Sequence, residues 1–372
     1  MFANQYRDRR VFVTGHTGFK GSWLSEWLLQ LGAKVTGFSD AVGADCDHFT
    51  ALGLSGRMQH VIGDVRDLAA LEAALRMSKP DFVFHLAAQS LVRLSYRDPV
   101  GTFTTNVIGT ANLLDALRRL ARPVACVVVT SDKCYENREV VHGYRDDDAL
   151  GGHDPYSASK AAAEIVLQAF RRSFFGGSGI DVRLASARAG NVIGGGDWSQ
   201  DRIVPDCVRS LIRGESIIVR NPGATRPWQH VLEPLSGYLW LGALLDGKVS
   251  LDRVPNASSV CSAFNFGPLS ESNCSVGALV GEVLKHWPGS WQGDQVSAVV
   301  HEAGLLGLSI DKAFHVLNWH PVWSFSRSVE ATVDWYRDIS SGARDALVAT
   351  HANINAYMDD ARRQHVRWAE DQ

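Results

Sequence analysis

Apolar, β-branched runs alternate with helical periodicity along the first half of the chain. Arg10, Val11, Phe12, Val13 and Thr14 form a short strand that breaks off in glycines. Trp23, Leu24, Trp27, Leu28 and Leu31 then recur at three- and four-residue spacing, which predicts a helix over 22–31 closed by Gly32. Further strands are predicted at 34–38, 59–63, 81–86 and 125–130, with helices at 68–77 and 104–120 between them. Such alternation predicts a parallel sheet covered by helices on both faces. Beyond residue 190 glycine clusters, isolated tryptophans and shorter elements replace it, and 343–368 predicts one or two peripheral helices.

Composition narrows the classes. Across 372 residues, 37 Lys and Arg stand against 40 Asp and Glu, so no basic field points to nucleic acid. No apolar run approaches the ~18 residues that span a membrane, and the first ten residues lack a signal peptide's apolar centre. A cytoplasmic protein is expected. The six cysteines have no CxxC or metal-ligand spacing and read as reduced thiols, with no metal site.

Gly15, Gly18 and Gly21 follow the first strand and open the first helix. Glycines at this spacing let the backbone turn tightly and approach a pyrophosphate at a helix N-terminus, which points to a dinucleotide held by Gly15, His16, Thr17, Gly18, Phe19, Lys20 and Gly21. No Lys or Arg lies between residues 35 and 51 to meet a 2′-phosphate, so NAD is favoured over NADP. Asp40 is the candidate for the ribose, with Asp64 and Val65 towards the adenine. Asp154 and Pro155 are a helix cap and first-turn residue, and place Tyr156 and Lys160 one turn apart on one face. A lysine beside a phenol is expected to lower its pKa from ~10 and make it a base near a nicotinamide.

These motifs, with His85, Leu86, Ala87, Ala88 and Gln89, resemble the extended short-chain dehydrogenase/reductase family of NAD-dependent epimerases and dehydratases. The resemblance implies an α/β fold: a Rossmann-type doubly wound parallel sheet with a smaller, discontinuous α/β substrate lobe. Residues 1–190 would form the NAD-binding domain, with segments near 227–267 returning to it. The lobe would comprise 191–226 and 268–340, and 341–372 the C-terminal helices. Leu86, Ala87, Ala88 and Thr130 would line the cofactor, and Asn106 would be structural. Ser131, Asp132 and Lys133, at a strand end, resemble the family's sugar-nucleotide 4,6-dehydratases. There Ser131 would assist Tyr156, Asp132 would protonate a leaving hydroxyl, and Lys133 would take the proton from C5. Lys133 would have to be neutral against a usual pKa of ~10.4; a structural ion pair with Asp132 is the alternative.

The implied substrate is a small nucleotide sugar, with Arg202 and Arg226 on its diphosphate and Gln89, Arg93, Asn191, Asn221, Trp228 and His230 around it. Trp198 and Trp228 would stack on a ring or simply pack. An epimerase on the same scaffold and a non-catalytic NAD sensor are the rival readings. Members of the family commonly dimerise through the helices near 104–120 and 156–170, so a homodimer or higher homo-oligomer is expected.

Overall fold

The computed structural model describes residues 1–40, 47–120, 122–175, 179, 181–293 and 305–370. Seven strands form one parallel sheet: β1 Arg10–Thr14, β2 Lys34–Ser39, β3 Gln59–Ile62, β4 Phe82–His85, β5 Val124–Val129, β6 Val182–Ala189 and β7 Ala263–Phe266. Their order across the sheet is β7-β6-β5-β4-β1-β2-β3. The order reverses between β1 and β4, the switch point where open α/β sheets bind ligands.

Period-two alternation sorts the strand residues between two cores. Val11, Val13, Ala125, Val127, Ala185 and Ala187 join one core with helix α1 (Phe19–Gln30). Phe12, Val124, Cys126, Val128 and Leu184 join the other, with α2 (Leu68–Ser78), α3 (Gly109–Arg119) and α4 (Pro155–Phe170). The predicted helix over 104–120 begins earlier: Pro99–Phe103 is α-helical, Thr104–Ile108 forms a π-helical turn, and α3 continues from it. Asp98 caps this run, accepting from the Gly101 amide, and supplies the start that hydrophobic spacing alone did not mark.

Helices α5 (Ile203–Arg213), α6 (Leu232–Leu245), α7 (Val276–His286), α8 (Phe325–Ser340) and α9 (Ala346–Arg363) complete the fold. α6 is buried along its whole length and packs beneath β5 and β6. The expected C-terminal helices are anchored to the N-terminal half. Tyr357 and Trp368 are fully buried, Trp368 stacks on Phe2, and Glu26 on α1 accepts from His351 of α9 at 2.6 Å. Helix α9 buries one face, carrying Ala346, Thr350, Ile354, Tyr357 and Ala361, and leaves the other exposed. Among the described cysteines Cys126, Cys134, Cys207, Cys261 and Cys274 are free; Cys46 lies outside the described residues.

Candidate active site

The glycine loop leaves β1 and passes close to the end of β4. Gly15 holds φ +70°, and a Cβ there would lie 2.7 Å from the Ala87 amide. A Cβ on Gly21 would meet the Gly15 carbonyl oxygen at 2.0 Å. Only glycine gives this turn and approach. Thr14 Oγ1 accepts from the Leu86 and Ala87 amides at 3.2 Å and meets His85 Nδ1 at 2.7 Å, joining the two strand ends. Thr17 Oγ1 reaches Ser39 Oγ at 2.8 Å. The side chain of His16 turns away from the cradle. It lies against Gly37, and its Nε2 is 2.7 Å from His60 Nδ1, so only its backbone remains for a ligand.

At the outer end Asp40 is exposed and accepts from Ser39 Oγ at 3.3 Å. Asp64 is committed to Arg66 at 2.8 Å, and Val65 is buried under Gly109. Arg66 also lies in the field of Asp40. The sequence reading missed this cation because it arrives from the loop after β3; its guanidinium is held by Asp64.

The chemistry lies at the C-terminal end of β5. Ser131 caps a short turn, its Oγ accepting from the Lys133 amide at 3.2 Å and donating to Asp132 Oδ1 at 3.0 Å. It also acts on the Tyr156 phenol, pulling its pKa down. Asp132 is buried, and its Oδ2 has no hydrogen-bond partner among the described residues. Burial raises its pKa, against the pull of Lys133, Ser131, Lys20 and Arg226. No carboxylate among the described residues makes an ion pair with Lys133, so the pairing with Asp132 is not formed.

α4 delivers Tyr156 and Lys160 as the spacing predicts, with Asp154 accepting from the Ser157 amide at 2.9 Å. The phenol departs from expectation. Burial pushes it up to about 12, with Ser131 and Arg202 pulling in the other direction. Lys160 itself is pushed down to about 8 by burial, and its ammonium donates to the Val129 carbonyl at 3.4 Å. Lys20, assigned to the cradle, sits in this same cluster: burial and Arg202 push it down to about 7, while Asp132 pulls it back.

The substrate-side residues divide. Arg202 pairs with Asp197 at 2.9 Å and lies in the field of Tyr156 and Lys20; Arg226 acts on Asp132 and donates to the Thr225 carbonyl at 2.8 Å. Asn191 is half-buried beside Gly190, whose Cβ would lie 2.6 Å from Asp132 Oδ2. Arg93 pairs with Asp201 at 3.1 Å, and Asn221 is exposed in a turn. Three residues are engaged within the fold itself. Gln89 spends its amide on Leu91 and Thr102, while Asn106 holds its backbone, which fits the structural role expected of Asn106. Trp228 is buried and donates to the Cys274 carbonyl at 2.9 Å. His230 is fully buried between Trp23 and Trp323. Trp198 is half-buried, edge-on to Tyr336.

A dinucleotide cradle, a buried acid and a Tyr/Lys pair at the switch point define a short-chain dehydrogenase/reductase of the nucleotide-sugar type. A family model described as GDP-mannose 4,6 dehydratase matches residues 12–246, and the chain belongs to that family. It is 43% identical over 369 residues to a CDP-glucose 4,6-dehydratase of Salmonella typhimurium, covering 97% of this chain and 99% of that one. A dTDP-glucose 4,6-dehydratase of Streptomyces antibioticus is 30% identical over 88% of this chain and 92% of its own. In fold it is similar to DesIV, a dTDP-glucose 4,6-dehydratase from Streptomyces venezuelae solved with NAD and TYD bound. That likeness has a TM-score of 0.73 at 24% identity, over 90% of this chain and 98% of the other.

Proposed function

We propose that this chain catalyses the NAD-dependent dehydration of CDP-glucose to CDP-4-dehydro-6-deoxyglucose. The observation that carries the dehydratase chemistry is Asp132: a buried carboxyl held towards its protonated form, with one oxygen unpartnered, joined through Ser131 to Tyr156. An epimerase eliminates nothing and has no use for such an acid. The relative with 43% identity over nearly the whole chain supports cytidine as the base.

The cradle fits NAD. The backbone from Gly15 to Gly21 would hold the pyrophosphate, with Leu86, Ala87, Ala88 and Thr130 beside the nicotinamide and Asp40, Asp64 and Val65 at the adenosine end. When bound, NAD would supply the hydride chemistry, oxidation at C4 and reduction at C6. The chain's own side chains do the rest. Tyr156 takes the O4 proton as C4 becomes a ketone, which acidifies the C5 hydrogen. Lys133 removes that hydrogen as a proton while Asp132 protonates the C6 hydroxyl, which leaves as water. Lys133 then returns its proton to C5. Tyr156 ends one proton up and Asp132 one down, and Ser131, which donates to Asp132 and acts on Tyr156, is the group through which the proton would return. Residues 191–226 and 268–340 are proposed as the substrate lobe, with Arg202 and Arg226 on the diphosphate.

The test is a panel of CDP-, dTDP-, UDP- and GDP-linked glucose and GDP-mannose scored by mass spectrometry. Loss of water from CDP-glucose is expected; its absence rejects the reading. For Lys133, a Lys133→Met variant is expected to lose most incorporation of solvent deuterium at C5. Exchange at the wild-type rate would remove lysine from that role.

We further place the protein in the cytoplasm as a homodimer. No described helix is long and apolar enough to cross a membrane. Val100, Ile108 and Ile165 are 74%, 50% and 59% exposed on the helices around 99–108 and on α4, beside exposed Leu94, Tyr96 and Phe103. A patch of this kind marks an association surface. A Val100→Glu/Ile165→Glu variant is expected to elute as a folded monomer in light scattering, against a dimeric parent. An unchanged mass would move the interface elsewhere.

A further inference from the structure

One buried charge pair beneath the active site plays no part in the chemistry above. Glu164 lies one turn beyond Lys160 on α4, continuing the spacing that places Tyr156 and Lys160. Its carboxylate is fully buried. Oε1 accepts from Thr130 Oγ1 at 2.6 Å and from Arg188 Nε at 2.9 Å; Oε2 accepts from Ser186 Oγ at 2.8 Å and from Arg188 Nη2 at 3.0 Å. Arg188, 1% exposed, also donates to Tyr135 Oη and to the Asp146 carbonyl, both at 2.7 Å. Tyr135 Oη in turn donates to Asn265 Oδ1 of β7 at 2.6 Å.

The bonds run to the elements that carry the chemistry. Thr130 immediately precedes Ser131 and Asp132. Arg188 lies two residues before Gly190, which backs onto Asp132 Oδ2. Glu164 shares a helix with Tyr156 and Lys160. We propose that Glu164 and Arg188 are positioning residues: a clamp that fixes the Ser131–Asp132–Lys133 turn against the Tyr156/Lys160 helix. The inference rests on the dehydratase reading, because only an elimination needs the acid and the phenol held together. A helix face and a strand end that meet only through side chains can slide relative to one another, and displacement by ~1 Å at a reacting centre costs on the order of 10²-fold in rate.

A buried pair can also serve stability alone, so the test must separate the two roles. Glu164→Gln strands a buried guanidinium and is expected to destabilise the fold. Glu164→Gln/Arg188→Met removes both charges and restores melting close to that of the parent. If the pair positions the site, this folded double variant still loses about 10- to 100-fold in kcat, with KM for CDP-glucose within about twofold. Parental kcat in the double variant overturns the proposal. Should that variant fail to fold, Ser186→Ala removes one bond and keeps both charges. It is expected to lower kcat about threefold at unchanged KM, and parental kcat there overturns the proposal equally. Wild type is run alongside: a silent wild type rejects the dehydratase reading, whereas an active wild type with fully active variants rejects the clamp alone.

Discussion

Replacing Asp132 with asparagine is expected to lower turnover of CDP-glucose by about 10²- to 10⁴-fold while leaving the fold intact. The side chain is buried, 2% exposed, and Oδ2 finds no partner. An amide of the same shape can accept from Ser131 but cannot deliver a proton to a leaving hydroxyl. Stability moves the other way. A carboxyl whose folded pKa is raised above 3.8 contributes stability while it is protonated and loses that contribution as pH rises through the folded value. Asparagine suffers no such loss. Asp132→Asn should therefore melt higher than the parent near neutrality, and the advantage should vanish in acid below the usual carboxylate range. Turnover within a few-fold of wild type would remove Asp132 as the acid.

Tyr156→Phe is expected to cost a similar 10²- to 10⁴-fold in kcat, with little change in KM. The phenol is the group positioned to take the O4 proton, and burial leaves its pKa raised to about 12 although the Ser131 hydroxyl pulls it down. Phenylalanine keeps the packing and removes the base. Because Ser131 also bonds Asp132, the variant would also break the route by which Asp132 regains its proton. Measured as product formed against time, the loss should persist at all substrate concentrations. A variant losing only affinity would recover at saturation and would show that Tyr156 binds but does not act as base.

Much of the fold was legible because both periodicities were strong. β1 falls at the residues predicted, β2 to β5 lie within one residue at each end, β6 and β7 lie outside the predicted strands, and Gly15, Gly18, Gly21, Tyr156 and Lys160 stand where their spacing puts them. The lobe was less legible. Trp228 and His230 lie in a polar, turn-rich stretch that suggests a binding loop, yet each is buried by elements more than 40 residues away. Gln89 looked available because nothing local marks Thr102 as its partner. Glu164 went unnoticed although its signal was present: it continues the four-residue step of Tyr156 and Lys160 on a helix face already known to turn inward. Arg188 carried no comparable mark, since an arginine inside an apolar strand gains meaning only once its carboxylate is located.

The return of β7 to the sheet has a consequence for how the molecule assembles. β1 to β4 are linked by short crossovers, but β7 reaches β6 only after the chain has passed through α5 and α6. Closing that contact requires a long loop to be ordered first, which makes it intrinsically slow. Strand β7, which closes the edge of β6 beside Arg188, should therefore be the last of the sheet to gain amide protection during refolding. Activity should return with that late phase, after the cofactor half has already taken shape.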